Sequence, residues 1–373
     1  MKEKKEKAMG KGEVRGEIPT AAAVAEDLST AALAHPTDSY PTVVKAVAFA
    51  RVGWIGNPSD GYYGKTIAFT ISNFQAEVIV SESDQLEIVP NPRDQAVFRG
   101  VEELVQNVRR FGYYGGIRLL KAAIKRFWDY CREHEIELPK RNFRMLYRSN
   151  IPEQVGLAGS SAIITACWRA LMRFYGVSVP KPLQPNWILS VETEELGIPA
   201  GLQDRVVQVY QGAVYMDFRK DYMESHGHGI YEPLDPSVFP PMYLAYREEA
   251  SEGTEIPHSD LKSRYLRKDP QVLEAIAFWI ELTDRMREAL EKRDWELVGH
   301  LLNQNFDKRR EILRIHPAHE EMIELARSVG ASAKFTGSGG AIVGTYQDEA
   351  QLERLREVFQ QKGIRVVVPQ IAV

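Results

Sequence analysis

The chain has little cysteine: Cys131 and Cys167 are its two thiols in 373 residues. That excludes a disulfide scaffold and any Cys-rich zinc module. It has no apolar run approaching the roughly 18 residues of a membrane span, so no transmembrane helix is expected. It has no excess of charge either. Lys and Arg number 47 against 51 Asp and Glu, a net charge of −4, which argues against a nucleic-acid or membrane partner reached through bulk charge. Met1 to Lys11 is basic but no apolar segment follows it, so a secretory signal is not expected and the cytoplasm is the default location. With 44% hydrophobic and 26% charged residues, the chain can bury a large core. Its length suggests two or three domains at roughly 100–200 residues each.

Residues 1–44 stand apart. They open on Lys/Glu alternation and continue rich in Ala, Thr and Ser, which reads as a mobile leader or loosely packed extension. From Val43 short β-rich runs follow: Val43–Ala50, Thr66–Ser72 and Ala76–Ser81. Gly100 to Glu135 reads as one or two helices, and Asn142–Tyr147 as a strand running into a Gly/Ser turn. Behind that turn Ile163, Ala166, Cys167, Ala170, Leu171 and Phe174 recur at helical spacing, with Gly176 as the stop. A helix over Pro185–Leu196 leads to a Gly turn and Asp204, and Val206–Phe218 reads as strand-like pieces. The loop-rich segment Gly227–Tyr265 carries the expected domain boundary, giving an extension over 1–44, a first domain over 45–228 and a second over 229–373. Helices are then expected at Gln271–Arg293, Asp294–Ile315 and Glu320–Val329. A strand–Gly turn–strand (Ser332–Tyr346), a helix (Glu349–Lys362) and a strand (Arg365–Pro369) close the chain. Strands and helices in two blocks without βαβ alternation mean α+β.

Three glycine loops compete for a phosphate. Ser59-Asp60-Gly61-Tyr62-Tyr63-Gly64-Lys65-Thr66 nearly matches a Walker A loop. Its first glycine is replaced by Ser59 and a strand pattern comes next, so no helix N-terminus is there to present amides. Gly337-Ser338-Gly339-Gly340 also precedes a strand and fails as a dinucleotide loop for the same reason. Gly156-Leu157-Ala158-Gly159-Ser160-Ser161-Ala162 has a strand before it and a patterned helix after it. Its amides would face an anion at the helix's positive end, and the two serines offer hydroxyls to a cap or to a phosphate-bound Mg2+. A Ser N-cap with no ligand is the structural alternative.

Pro152…Gly156-Leu157…Ser160-Ser161-Ala162 resembles the central signature of the GHMP small-molecule kinases. Arg51-Val52…Ile55-Gly56…Asp60 resembles that family's first motif, and Lys334-Phe335-Thr336-Gly337-Ser338-Gly339-Gly340 its third. The three stand in the family's order and span the chain from about Val43 to its end. One departure is informative. The usual loop is Gly-Leu-x-Ser-Ser-Ala, and here an additional residue (Ala158-Gly159) precedes Ser160, as in the glucuronokinase branch. Gly56-Asn57-Pro58-Ser59-Asp60, Ala200-Gly201-Leu202-Gln203-Asp204-Arg205-Val206, His258-Ser259 and Asn303-Gln304-Asn305-Phe306-Asp307 are similar to the same branch.

The resemblance implies an α+β, two-domain GHMP fold, ribosomal-S5-domain-2-like in the first half and ferredoxin-like in the second. It also implies ATP and Mg2+, with Gly156–Ala162 as the phosphate cradle. Ser161 and an acid before the Asp loop would hold the metal: Glu192, with Glu194 and Glu195 as rivals. Asp204 would take the acceptor's proton, Arg51 would stand beside it as a cation, and Asp60, with Asn57 and Gly337–Gly339, would hold the sugar. A uronate needs a cation for its carboxylate; Arg205, Arg264 and Arg309 are unranked candidates, and Arg205 is adjacent to Asp204. Tyr62, Tyr63 and Trp54 are either sugar-lining or core. Cys167 is core, and His226-Gly227-His228 is a solvated loop. The reaction implied is transfer from ATP to D-glucuronate, giving the 1-phosphate. The rivals are another acceptor (galacturonate, a heptose phosphate or fucose) and a non-catalytic sensor on the same fold. The partners are then a sugar acid and ATP, with oligomeric state unread.

Overall fold

A computed structural model describes residues 40–91, 94, 98–103, 106, 115–247 and 256–372. The leader lies outside the described residues as far as position 39, as do 104–105 and 107–114 of the Gly100–Glu135 stretch. Among the described residues no helix is long and apolar enough to cross a membrane.

The first sheet is built on a long antiparallel pair, β1 (Val43–Ile55) and β2 (Lys65–Ser83). The separate strands expected at Thr66–Ser72 and Ala76–Ser81 are one strand of 19 residues. Its polar middle survives because β1 slips register between Phe49 and Ala50. The C-terminal tail pairs there instead: Ser72 N–H donates to Gln370 O (2.8 Å) and Gln370 N–H to Asn73 Oδ1 (2.8 Å). β4 (Asn142–Ser149) joins one half of β2 and β5 (Ala213–Asp217) the other; β3 (Glu87–Ile88) and β6 (Ile230–Leu234) sit at the edges.

β1 alternates buried and open residues as far as Phe49, then buries every residue from Ala50 to Ile55. A half-exposed strand has become one covered on both faces, and Arg51 falls just past that change. Four helices pack on this sheet or on one another: α1 (Gly116–Glu133), α2 (Gly159–Tyr175), α3 (Gln184–Ser190) and α4 (Leu202–Tyr210). α2 lies between β1–β2 and α1. It therefore buries Ile164 and Trp168 as well as the expected stripe, of which Ile163 is only half-buried. It ends at Gly176, whose φ of 68° is the left-handed stop that glycine accepts. Cys131 and Cys167 are buried and unbridged, and burial raises both thiols, Cys131 to about 11. Both are core residues.

α5 (Lys220–His226) and β6 come next. The expected 228/229 boundary falls before β6, which pairs with β5, so the first sheet runs on to Leu234. The second sheet begins at β7 (Met242–Arg247), with β8 (Lys334–Phe335), β9 (Ala341–Thr345) and β10 (Ile364–Val367) in the order β10-β7-β9-β8. Its helices are α6 (Ile256–Leu266), α7 (Pro270–Lys292), α8 (Trp295–Ile312), α9 (Pro317–Ser328) and α10 (Glu349–Gln360). Asp269, Asp294, His316 and Asp348 cap four of them with side-chain acceptors.

The seam between the halves is held by polar contacts at Gly53, Gly56 and Asn57. Asn305 of α8 accepts from Gly56 N–H (2.7 Å) and donates to Asn57 O (3.1 Å). Lys334, 1% exposed, donates to Gly53 O, Asn57 Oδ1 and Phe335 O at 2.7–2.8 Å. Burial pushes this amine well below its usual range, with Arg309 and Arg51 adding to the effect. Three carbonyl oxygens at hydrogen-bonding distance offset part of that cost. The turn bearing Asn57 and Asp60 is thereby fixed to the second half of the chain.

Candidate active site

The helix α2 opens without a side-chain cap. Its N-cap is Ala158, in the left-handed conformation (φ 60°, ψ 46°), which costs a residue with a Cβ on the order of 1 kcal/mol. This sharp bend is made at the additional residue of the loop. Ser160 and Ser161 fall inside the first turn, so neither is the N-cap. The Ser160 hydroxyl donates to Glu192 Oε1 (2.8 Å), and that of Ser161, 1% exposed, to Ala158 O (3.2 Å). The first amides of a 17-residue helix meet no capping side chain, and about half a positive charge resides there.

Beside the bend lies a buried chain of alternating charge. Arg51 donates through Nε to Asp204 Oδ1 (2.7 Å), with Nη2 2.6 Å from the same oxygen. Its Nη1 donates to Gly156 O (2.9 Å) and Thr336 O (2.8 Å). One guanidinium thus ties the first, second and third glycine motifs to the acid. Asp204 stands in the first turn of α4 rather than in a loop, and Val206–Tyr210 is helix where strand was expected. Arg205, 3% exposed, forms an ion pair with Glu192 Oε2, donates to Gly201 O (2.9 Å), and has Nη1 3.5 Å from Asp204 Oδ2. Burial lowers its guanidinium to about 9, with Arg51 adding to the effect.

Asp60 approaches the start of the same helix. Its Oδ2 accepts from Gln203 N–H (3.4 Å), so it caps α4 from a distant segment. A Cβ at Gly201 would sit 2.3 Å from that oxygen, and this contact requires glycine. The third loop packs on the second: a Cβ at Gly156 would stand 2.9 Å from Gly339 O, and one at Gly340 2.9 Å from Val155 Cα. Arg309 holds the loop from behind, donating to Gly337 O (2.8 Å) and Ser338 O (3.3 Å).

A cavity of about 480 Å³ runs from this charged chain into an apolar cleft. Arg51, Asp204, Ser160 and Glu192 line it together with the apolar Leu119, Tyr147, Ile151 and Ile163 and with Gly115 and Gly116. A polyanion at the helix end and a flat apolar group in the cleft match this division of surface.

Residues 118–212 match the family model described as GHMP kinases N terminal domain, and residues 286–365 that described as GHMP kinases C terminal. The chain is 43% identical over 332 residues to glucuronokinase 1 of Arabidopsis thaliana, covering 87% of this chain and 91% of that protein. The chain belongs to the GHMP kinases. The probable glucuronokinase 2 of the same plant is 44% identical over 327 residues, covering 86% of this chain and 89% of that protein. Among solved structures, the mevalonate kinase of Methanococcus jannaschii superposes with a TM-score of 0.65 at 20% identity, covering 91% of this chain and all of that one. Lactococcus lactis galactokinase complexed with galactose does so at 0.69 and 13% identity, covering 94% of this chain and 97% of that one. Those two show the fold. This kinase is accordingly a phosphotransferase with an alcohol acceptor, and GHMP kinases use ATP.

The kinase brings Arg51, Gly156–Ser160, Glu192 and Asp204 together at its cavity. Of the three acids before the Asp loop, Glu192 faces the cavity at 3% exposure, while Glu194 and Glu195 pair outward with Arg126 and Lys125. Ser160, not Ser161, is the serine beside Glu192. Of the three candidate cations for a uronate, Arg205 is committed to Glu192 and Gly201 and Arg309 to the third loop. Arg264 bonds Asp269 and Ile312 O. The Asn57 side-chain oxygen belongs to Lys334. Trp54 is core; Tyr62 is half-buried, its ring 4.8 Å from that of Tyr265, and Tyr63 is exposed. His226 and His228 lie beside Tyr222, and no group of three metal-binding side chains occurs among the described residues. The sequence places Thr336 in the third motif but gives no role to its carbonyl, which receives Arg51, and no local pattern marks the apolar cleft around Tyr147.

Asp60 gives this kinase a testable electrostatic signature. Burial raises its carboxyl from 3.8 to about 6, with Asp204 adding to the rise. The folded chain then binds the proton more tightly than the unfolded one, so stability falls as pH rises from about 4 to about 6. The ionised carboxylate costs about 3 kcal/mol at neutral pH. Asp60→Asn keeps an acceptor for the α4 cap. It is expected to raise the melting temperature at about pH 7.5 and to leave it nearly unchanged at about pH 4, as thermal melts at the two pH values will read.

Proposed function

We propose that the kinase transfers the γ-phosphoryl group of ATP to the anomeric hydroxyl of D-glucuronate, with Mg2+, giving D-glucuronate 1-phosphate and ADP. Two relatives named as glucuronokinases, 43% and 44% identical over most of the chain, support the acceptor. The observation that carries the chemistry is the Arg51–Asp204 pair at the cavity end where α2 begins.

In this reading the uncapped amides at Gly159 and Ser160 hold the triphosphate, and the cleft around Tyr147 and Leu119 takes the base. Asp204 has Oδ1 engaged by Arg51 and only a long contact at Oδ2, so Oδ2 accepts the proton of the attacking hydroxyl. Arg51 stands beside the acid, where negative charge gathers on the transferring group. Asp60 accepts hydrogen bonds from sugar hydroxyls, assisted by the loop at Gly337–Gly339. Ser160 and Glu192 form a hard-oxygen pair suited to Mg2+, which takes one or two protein oxygens and the rest from phosphate and water. Ser161, 1% exposed, is not among the residues lining the cavity and stays outside that pair. Mg2+, when bound, neutralises charge on the phosphates.

The test is ADP release across a panel of free sugars and sugar acids, with glucuronate expected to give the highest kcat/KM. A higher value for galacturonate or for a neutral hexose would overturn the acceptor and leave the family untouched.

A further inference from the structure

The arginine after the base belongs to the metal acid. Glu192 is buried, and its two oxygens have different partners: Oε1 receives the Ser160 hydroxyl (2.8 Å), and Oε2 the Arg205 guanidinium. Arg51 is committed to Asp204, which leaves Arg205 as the cation paired with Glu192 among the described residues. Arg205 is itself anchored, through Nη1, to Gly201 O (2.9 Å) at the start of the helix that carries Asp204. Its planar fork therefore spans a fixed backbone atom and a carboxylate on a different segment. A carboxylate held at one oxygen can turn only its other oxygen towards a cation beside Ser160.

We propose that Arg205 is a positioning residue for a divalent-cation site at Ser160 and Glu192, fixing the orientation of that carboxylate from the helix that bears the base. This rests on the metal site described under the proposed function. It gives Arg205 a role at the phosphate end, away from any carboxylate of the acceptor. It also explains why an arginine suits this position: a lysine ammonium can donate to two acceptors but lacks the rigid planar fork that fixes their relative orientation.

The experiment measures Mn2+ affinity of the full chain in the presence of a non-hydrolysable ATP analogue, by electron paramagnetic resonance. Affinity of the analogue without metal is measured alongside. Arg205→Met is expected to weaken Mn2+ binding by about 10–100-fold, the range for residues that orient a metal ligand, with metal-free analogue affinity unchanged. Arg205→Lys is expected to lose less, and Glu194→Gln, altering an exposed acid, nothing. A purely structural arginine would lower the melting temperature and leave Mn2+ affinity at the wild-type value, and that result overturns the proposal. If Arg205→Met does not fold, Arg205→Lys carries the test, and wild-type Mn2+ affinity in it is equally fatal. Glu192→Gln separates the two levels. Normal Mn2+ binding in that variant removes the metal site itself, whereas its loss alongside normal binding in the Arg205 variants removes only the role given to Arg205.

Discussion

Asp204→Asn is expected to lower turnover by about 10²–10⁴-fold, the range for loss of a positioned proton acceptor, while nucleotide binding persists. The substitution is nearly isosteric. An amide oxygen can still accept from Arg51 Nε, so the bond at 2.7 Å has a successor. The losses are the negative charge and the ability to take a proton. The surface proposed for the nucleotide is the uncapped start of α2 and the cleft beyond it, where Asp204 is one lining residue among many. Calorimetry with a non-hydrolysable analogue should therefore give an affinity close to wild type, and steady-state ADP release should carry the whole loss. Some stability should go as well, because Arg51 is 5% exposed and would lose its counter-charge. Turnover within tenfold of wild type would assign the proton to another group and leave Asp204 as a counter-ion for Arg51.

The glycine loop that opens a helix is legible in the sequence because the element behind each glycine run separates the three candidates. A strand comes after Lys65 and after Gly340, and a helix after Ala158. Only the helix presents a set of amides in one direction. Gly176 is equally readable, since a helix stop in the left-handed region has few alternatives.

The helix under Asp204 is hidden by composition. Val206, Val207 and Val209 read as strand, yet Val206 and Val207 are buried with Val214 and Met216 of β5 and with Phe218, and Val209 in the main core, and packing overrides a weak local preference. The choice between Ser160 and Ser161 depends on helix phase. Successive residues differ by about 100° around the axis, and the phase is set by the left-handed Ala158, which no pattern announces. Glu192, Glu194 and Glu195 pose the same problem, sharpened because they lie in a π-helical turn rather than an α-helix. The commitment of Arg205 and Arg309 is beyond reach for a different reason: their partners lie 13 and 28 residues away in sequence, and such pairings exist only once the chain has folded.

These contacts make the three motifs one mechanical unit, which a single methyl group should expose. Gly337→Ala is expected to reduce kcat by about 10²-fold, the loss associated with a displacement near 1 Å at a reacting group, and to lower the melting temperature. A Cβ there would stand 2.7 Å from Gly156 O and 2.9 Å from Arg51 Nη1. The first is backbone, and the second donates to Gly156 O and Thr336 O in a guanidinium whose Nε donates to Asp204. Neither can yield without moving the acid or opening the loop that begins α2. Gly337 has no left-handed φ, so the effect is steric and not a backbone preference. Gly61→Ala is the matched control: nothing lies within 4 Å of its Cβ, and its φ is likewise outside the left-handed region. That variant should keep wild-type turnover and stability within about 0.5 kcal/mol. Wild-type kcat in Gly337→Ala, measured beside that control, would mean that the third loop can move independently of Arg51 and Asp204.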